Sequence, residues 1–431
     1  MMKTVFQPRL LQKMMQRNGS TATADVTKAT AQYIDLELAK SAHNYHPIPR
    51  VLSRGKGVYV WDVDNKKYLD FLAAYSAVNQ GHCHPRIVKV LQHQAEVMTL
   101  TSRAFHNDQF GPYADYITKL FGYDKVLPMN TGVEAGETAV KLARKWAYLR
   151  KGVPQNQAKI VFARNNFWGR SIAAVSSSTD PSSYKDYGPF VPGFEIVDYN
   201  DLAGLEKAIS DPNTAAFMVE PIQGEAGVVV PDEDYLPGVR RLCDKYNVLF
   251  IADEVQTGLC RTGKMLAVDH QAVRPDIICL GKALSGGTMP VSAVLADDDV
   301  MLTIKPGEHG STYGGNPLAS AVATESLKVL IEENLAENAQ RQGERLRTEL
   351  RRLNLPGVKE IRGKGLLNAI VVDDPSEDQS RAWDICMKFA DLGLLAKPTH
   401  GHIIRLAPPL VINDQELDEA LEILERGIRT A

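Results

Sequence analysis

The chain has 431 residues, 44% hydrophobic and 23% charged, an ordinary globular composition on a chain too long for one small core, so about two or three domains are expected. With 49 Lys+Arg against 52 Asp+Glu and a pI near 6.4, it lacks the basic field that would hold nucleic acid or an acidic membrane. No apolar run approaches the roughly 20 residues that span a bilayer, so a soluble protein acting on small molecules is expected.

The first 24 residues contain no acid, while Arg9, Lys13 and Arg17 repeat at helical spacing beside Phe6, Leu10 and Met14. Residues 1–30 therefore read either as a mitochondrial transit peptide or as an uncleaved arm of a cytosolic protein, with Pro8 interrupting the helix. The compartment, mitochondrial matrix or cytoplasm, stays open. The five cysteines, Cys83, Cys243, Cys260, Cys279 and Cys386, are scattered, form no CxxC pair, and suit a reducing compartment. His82, Cys83 and His84 have metal-binding side chains, but no second ligand pair lies near them, so no metal is expected.

Residues 31–78 contain a hairpin, Tyr59 to Phe71, turning at Asp64 and Asn65, and this segment is expected to pack with a small C-terminal domain. From 79 to 316 helices and buried strands alternate: helix Val133 to Arg150, strands Ile160 to Ala163 and Ala216 to Val219, and helix Leu236 to Tyr246. The apolar runs Leu249 to Ala252 and Ile277 to Leu280 follow. This alternation predicts an α/β domain with a mostly parallel sheet covered by helices. Residues 317–431 read as an α+β domain. Its predicted parts are a long amphipathic helix from Pro317 toward Leu353, apolar segments Gly365 to Val372 and Ile403 to Ile412, and helices near Arg381 to Leu392 and Asp414 to Ile428. Asn413 and Glu416 form a capping box for the last helix.

The stretch VLFIADEVQTG ends an apolar strand abruptly at Asp253 and Glu254, and DIICLGKALSGG ends the next at Gly281 and Lys282. Parallel sheets place chemistry at that strand edge. An acid and an amine delivered there suit pyridoxal phosphate, with its ring nitrogen and aldehyde, although these residues alone also allow a buried ion pair. In NTGVEAGETAVKLARKW the apolar face Ala139, Leu142, Ala143 and Trp146 predicts a helix starting near Gly132. Free N–H groups at Thr131, Gly132 and Val133 would form a phosphate site.

Together NTGVEAGE, NFWGRSIAAVSSS, VEPIQGEAGVVVP, IADEVQTGLCRTG, LGKALSGG and HGSTYGGNPL resemble the class III aminotransferases, pyridoxal-phosphate enzymes of fold type I. HNYHPIPR, YSAVNQGHCHP, LTSRAF, RGKGLLNAI and GLLAKPTHGHIIRLAPPLVI resemble the branch of that family that transaminates the δ-amine of ornithine. The resemblance runs from about Tyr33 to the C-terminus. It implies a large, mostly parallel seven-stranded sheet domain with a smaller α+β domain, and an obligate homodimer with shared active sites.

The same resemblance implies residue roles. Lys282 attaches to the cofactor aldehyde and moves the proton, Asp253 bonds the pyridine nitrogen, Phe167 stacks on the ring, and Gln256 touches the cofactor face or phenolic oxygen. Gly132 and Val133 hold the phosphate, with Thr312 contributed by the partner subunit. Arg170 binds the distal carboxylate in both half-reactions of a ping-pong exchange between L-ornithine and 2-oxoglutarate, giving glutamate 5-semialdehyde and glutamate. Arg405 binds the α-carboxylate of glutamate and is neutralised by Glu225 when ornithine is bound. Tyr45 contacts ornithine, and Tyr75 shapes the pocket against 4-aminobutyrate. Read from the residues, Arg405 with Glu225 is an ordinary ion pair and Thr312 a turn residue. N-acetylornithine and 4-aminobutyrate are the alternative donors. A local departure falls at Thr288 and Met289 of GGTMPVSA, where relatives often carry a larger pair.

Overall fold

A computed structural model of the chain describes residues 27–374 and 380–431; the reading of residues 1–30 as a transit peptide or arm falls outside these except at 27–30, where a helix over Lys28–Lys40 begins. Three sheets organise the described residues. The central one has seven strands: β4 (Lys125–Met129), β5 (Lys159–Ala163), β6 (Phe194–Val197), β7 (Thr214–Val219), β8 (Leu249–Asp253), β9 (Ile277–Leu280) and β10 (Ser292–Ala296). Their spatial order is β4-β10-β9-β8-β7-β5-β6. β10 runs antiparallel to both neighbours, and the other adjacent pairs are parallel. Every residue of β7, β8, β9 and β10 is buried. Helices cover both faces of such a sheet, so its inner strands read as unbroken apolar runs rather than alternating ones.

The predicted hairpin is β2 (Tyr59–Asp62) with β3 (Lys67–Asp70), paired antiparallel and turning with Asn65 at φ +64°. β1 (Leu52–Lys56), unpredicted, pairs with β2. The short strand β13 (Leu394–Leu395) pairs parallel to β3, so C-terminal chain completes the N-terminal sheet. The third sheet joins β11 (Val358–Lys364), β12 (Leu367–Val372), β14 (Lys397–Thr399) and β15 (Ile403–Leu406) in the order β11-β12-β15-β14.

Two predicted helices differ from the structure. The long helix from Pro317 is two, Pro317–Glu332 and Leu335–Arg352, because Asn334 adopts the left-handed conformation at φ +54°, which asparagine tolerates at low cost. The second helix then lies against the turn between β11 and β12, where a Cβ on Gly343 would stand 1.7 Å from the carbonyl oxygen of Gly365; only glycine permits that approach. The helix predicted to reach Arg150 spans Gly132–Trp146 and continues as a π-helical turn over Ala147–Lys151. Apolar periodicity reports a buried stripe but not the local hydrogen-bond register, so it did not detect either change. The final helix, Asp414–Arg429, has the expected box: Asn413 Oδ1 accepts from Glu416 N, and Glu416 Oε2 from Asn413 N, both at 2.9 Å.

Candidate active site

β7, β8 and β9 end side by side on one rim. Asp253 closes β8, Glu220 follows the last residue of β7, and Lys282 stands just past β9 in a short 3-10 turn at φ +45°. Asp253 is only 6% exposed, and its Oδ1 accepts the Val255 N–H at 3.0 Å. Burial pushes this carboxyl up to about 6, against the Val255 bond and the charge of Lys282. Burial likewise pushes the Lys282 amine down to about 8, while Glu225 and Asp253 oppose the shift. An amine near that value is partly neutral at physiological pH and can both take and return a proton.

Glu220, which sequence reasoning passed over, is the third member of the rim. Its Oε1 accepts the Phe167 N–H at 3.0 Å and its Oε2 the Gly224 N–H at 3.1 Å. One buried carboxyl group thus ties the loop of Phe167 to the loop leading to Glu225. Burial, and then the neighbouring charge of Asp253, push it up to about 8. The signal was present in the chain, for VEP ends an apolar strand in a carboxylate just as IADE does.

Arg405, on β15, is 1% exposed. Its Nη1 donates to Glu225 Oε1 at 2.7 Å and its Nη2 to Gln256 Oε1 at 2.7 Å. Gln256 Nε2 in turn donates to the same Glu225 oxygen at 3.0 Å. The three side chains close a ring. Gln256 was expected at the cofactor, but here both ends of its amide are engaged by the ion pair. His400 Nε2 and Thr399 Oγ1 reach the Glu225 carbonyl oxygen at 3.0 and 3.3 Å. On the other side, the Tyr75 ring centroid lies 5.0 Å from Arg405 Cζ.

Arg170 contrasts with Arg405. It is exposed, its Cζ lies 5.7 Å from the Phe167 ring, and among the described residues it forms no ion pair. One arginine is therefore open to a carboxylate while the other is masked. Tyr45 is 68% exposed and close enough to Tyr75 to contribute to the upward push on its phenol, which is caused first by burial.

The predicted phosphate loop is corrected at one position. Thr131 caps the helix, and its N–H, expected to be free, donates to Glu134 Oε2 at 2.7 Å in a capping box. Gly132 and Val133 are the first two helical residues, so their N–H groups have no carbonyl partner within the helix and remain for an anion. A Cβ on Gly132 would lie 3.0 Å from Val255 Cγ1, so the glycine lets this helix start approach the chain just beyond Asp253. Thr312 is exposed and not drawn into the rim; the preceding Ser311 accepts from Asn130 Nδ2 at 3.0 Å. His82 and His84 bind the carboxylates of Asp70 and Glu333.

The arrangement fits pyridoxal phosphate on its own chemistry. A buried carboxyl, already costly to ionise, is stabilised by a protonated ring nitrogen. A buried amine that is partly neutral suits an aldehyde, and a helix start with two free N–H groups suits a phosphate.

A family profile described as Aminotransferase class-III matches residues 40–428. The chain is 61% identical over 425 residues to the mitochondrial ornithine aminotransferase of Rattus norvegicus, covering 97% of this chain and 96% of that protein. Among solved structures it is similar to the ornithine aminotransferase of Toxoplasma gondii ME49, with TM-score 0.91 and 50% identity over 96% of this chain and 97% of that one. It is also similar to the acetylornithine aminotransferase of Elizabethkingia anophelis, with TM-score 0.86 and 54% identity over 94% and 100%. With the rim of Asp253 and Lys282 on a parallel sheet and this similarity along its length, the chain belongs to the class-III aminotransferases.

Proposed function

We propose that the chain is an ornithine δ-aminotransferase, converting L-ornithine and 2-oxoglutarate to glutamate 5-semialdehyde and glutamate by a ping-pong exchange. The observation that carries this reading is the asymmetry of the two arginines. Ornithine reacting at its δ-amine presents one carboxylate, far from the reacting carbon. Glutamate and 2-oxoglutarate present two. A site with Arg170 open and Arg405 masked by Glu225 and Gln256 is set for the first substrate, and opening the ion pair sets it for the second. The names of the relatives point the same way.

Pyridoxal phosphate, when bound, supplies an aldehyde that condenses with amines and a ring that accepts the electron pair released at the substrate carbon. The chain's residues do the rest. Asp253 would hold the ring nitrogen protonated, Gly132 and Val133 would hold the phosphate through their N–H groups, and Phe167 would cover the ring. With the cofactor bound, the Lys282 amine would take the proton from the substrate carbon and return it. Arg170 orients the distal carboxylate with a bidentate guanidinium, while Tyr45 and Tyr75 close the pocket around the diamine. Residues 79–316 form the cofactor-binding unit in this reading. Two chains associate so that the exposed Thr312 of one serves the phosphate site of the other, a state that light scattering of the purified protein tests.

Steady-state rates with three donors decide the substrate. Ornithine is expected to lead N-acetylornithine and 4-aminobutyrate in kcat/KM, and a preference for either competitor overturns the assignment. The similarity to an acetylornithine aminotransferase makes N-acetylornithine the second reading.

A further inference from the structure

Four consecutive non-glycine residues, Ala73, Ala74, Tyr75 and Ser76, have φ of +46°, +47°, +59° and +72°. With ψ of 45° and 47° at Ala74 and Tyr75, they form a single left-handed helical turn. L-residues avoid this conformation because Cβ crowds the following carbonyl, and a run of four persists only where the surroundings impose it.

Here the imposition is visible. Asp70 Oδ1 accepts the N–H groups of both Leu72 and Ala73 at 2.9 Å, and Asp70 Oδ2 is held by His82 Nε2 at 2.7 Å. Ala77 N and Val78 N both donate to the Ala73 carbonyl, at 3.0 and 3.1 Å. Beyond the turn, the buried Gln80 amide donates to the carbonyl of Ala283, the neighbour of Lys282, at 3.0 Å. The turn delivers one side chain to the site: the Tyr75 ring against Arg405. A right-handed or extended backbone at this position would send that Cβ elsewhere.

We propose that Asp70, held by His82, is a positioning residue that maintains this left-handed turn, and that the turn keeps the Tyr75 ring against Arg405 when Glu225 leaves it. The inference rests on the assignment of Arg405 to the second carboxylate of 2-oxoglutarate. With Glu225 withdrawn, the guanidinium keeps only Gln256 and the face of Tyr75, so the second half-reaction depends on the turn more than the first does.

The test uses the full-length holoenzyme and two variants. In Asp70→Ala the KM for 2-oxoglutarate is expected to rise about tenfold, and the single-turnover rate with ornithine to fall by a clearly smaller factor. Equal effects on both half-reactions would reduce Asp70 to a general structural role and overturn the proposal. Ala74→Gly tests the turn without reference to substrate. Ala74 is exposed, and glycine accepts its φ without strain, so the melting temperature of the variant is expected to rise. A fall would show that the turn is not a strained left-handed one, and it overturns the proposal even if Asp70→Ala fails to fold. If the wild type does not turn over ornithine, the functional assignment fails, while the melting result for Ala74→Gly still reports on the turn.

Discussion

Arg405 and Glu225, 180 positions apart in the chain, meet at 2.7 Å, and Gln256 bonds both. A guanidinium 1% exposed is costly to bury, and its attraction to one carboxylate at best offsets that desolvation. In the function proposed above, a substrate carboxylate replaces Glu225 at Arg405 while Gln256 and Tyr75 keep the guanidinium in place.

Removing Glu225 tests this exchange directly. Glu225→Ala leaves Arg405 permanently available, so the single-turnover rate with glutamate should gain on that with ornithine by roughly tenfold or more. The variant should also melt at a lower temperature, since a buried charge has lost its partner. An unchanged ratio of the two half-reaction rates would exclude the switch.

Gln256→Leu keeps the bulk of the side chain but removes its acceptor and donor. Arg405 Nη2 then lacks its buried acceptor, which should cost about 1–3 kcal/mol of stability. The KM for 2-oxoglutarate should rise more than the KM for ornithine, because in the proposed function Arg405 serves only the former. Denaturant melts and steady-state kinetics on the same preparation check both; an effect on ornithine alone contradicts the ring of contacts.

Lys282→Ala should abolish turnover, by at least about 10²–10⁴-fold if proton transfer alone is lost. The cofactor-free chain should fold as well as the wild type or better, because the substitution removes an amine that burial disfavours. Comparing melting temperatures of the cofactor-free proteins, alongside the rates, separates the chemical role from a structural one.

The cofactor-free protein should lose stability as the pH rises through neutrality. Glu220 is pushed from an ordinary 4.5 up to about 8 by burial and by Asp253. The folded state therefore binds its proton more tightly than the unfolded one does. That contribution is fully present below about 4.5 and is lost as the pH climbs through about 8. Asp253, pushed up to about 6, acts in the same direction over a lower range. Melting temperatures should fall between about pH 5 and about pH 8 and fall less steeply in Glu220→Gln; a rising wild-type curve contradicts the raised value of Glu220.

Much of the fold was legible from the chain alone, for local reasons. Strands buried on both faces must be apolar throughout, so Leu249 to Ala252 and Ile277 to Leu280 could be read as parallel strands, and the polar residues that stop them, Asp253 and Lys282, as the edge where chemistry sits. The apolar face of Ala139, Leu142, Ala143 and Trp146 placed a helix start near Gly132, and the capping box of Asn413 and Glu416 placed one at Asp414. The strands Lys125–Met129, Phe194–Val197 and Ser292–Ala296 escaped notice because short runs carry little periodic signal.

Only the tertiary structure decided which distant side chains share a contact. No local pattern states that Arg405 on β15 meets Glu225 and Gln256 from loops of the central sheet, or that Glu220 joins the Phe167 and Gly224 loops. The left-handed conformation of Ala73 to Ser76 was equally hidden, since nothing in alanine, tyrosine or serine favours it. It stands against the local preference of the backbone, with Asp70 Oδ1 accepting the Leu72 and Ala73 N–H groups at its start. The sequence determined the rim of Asp253 and Lys282, through the unbroken apolar runs that end at them. The contacts of Arg405 with Glu225 and Gln256 were settled by folding, because long-range contacts depend on how sheets and loops pack rather than on neighbours in the chain.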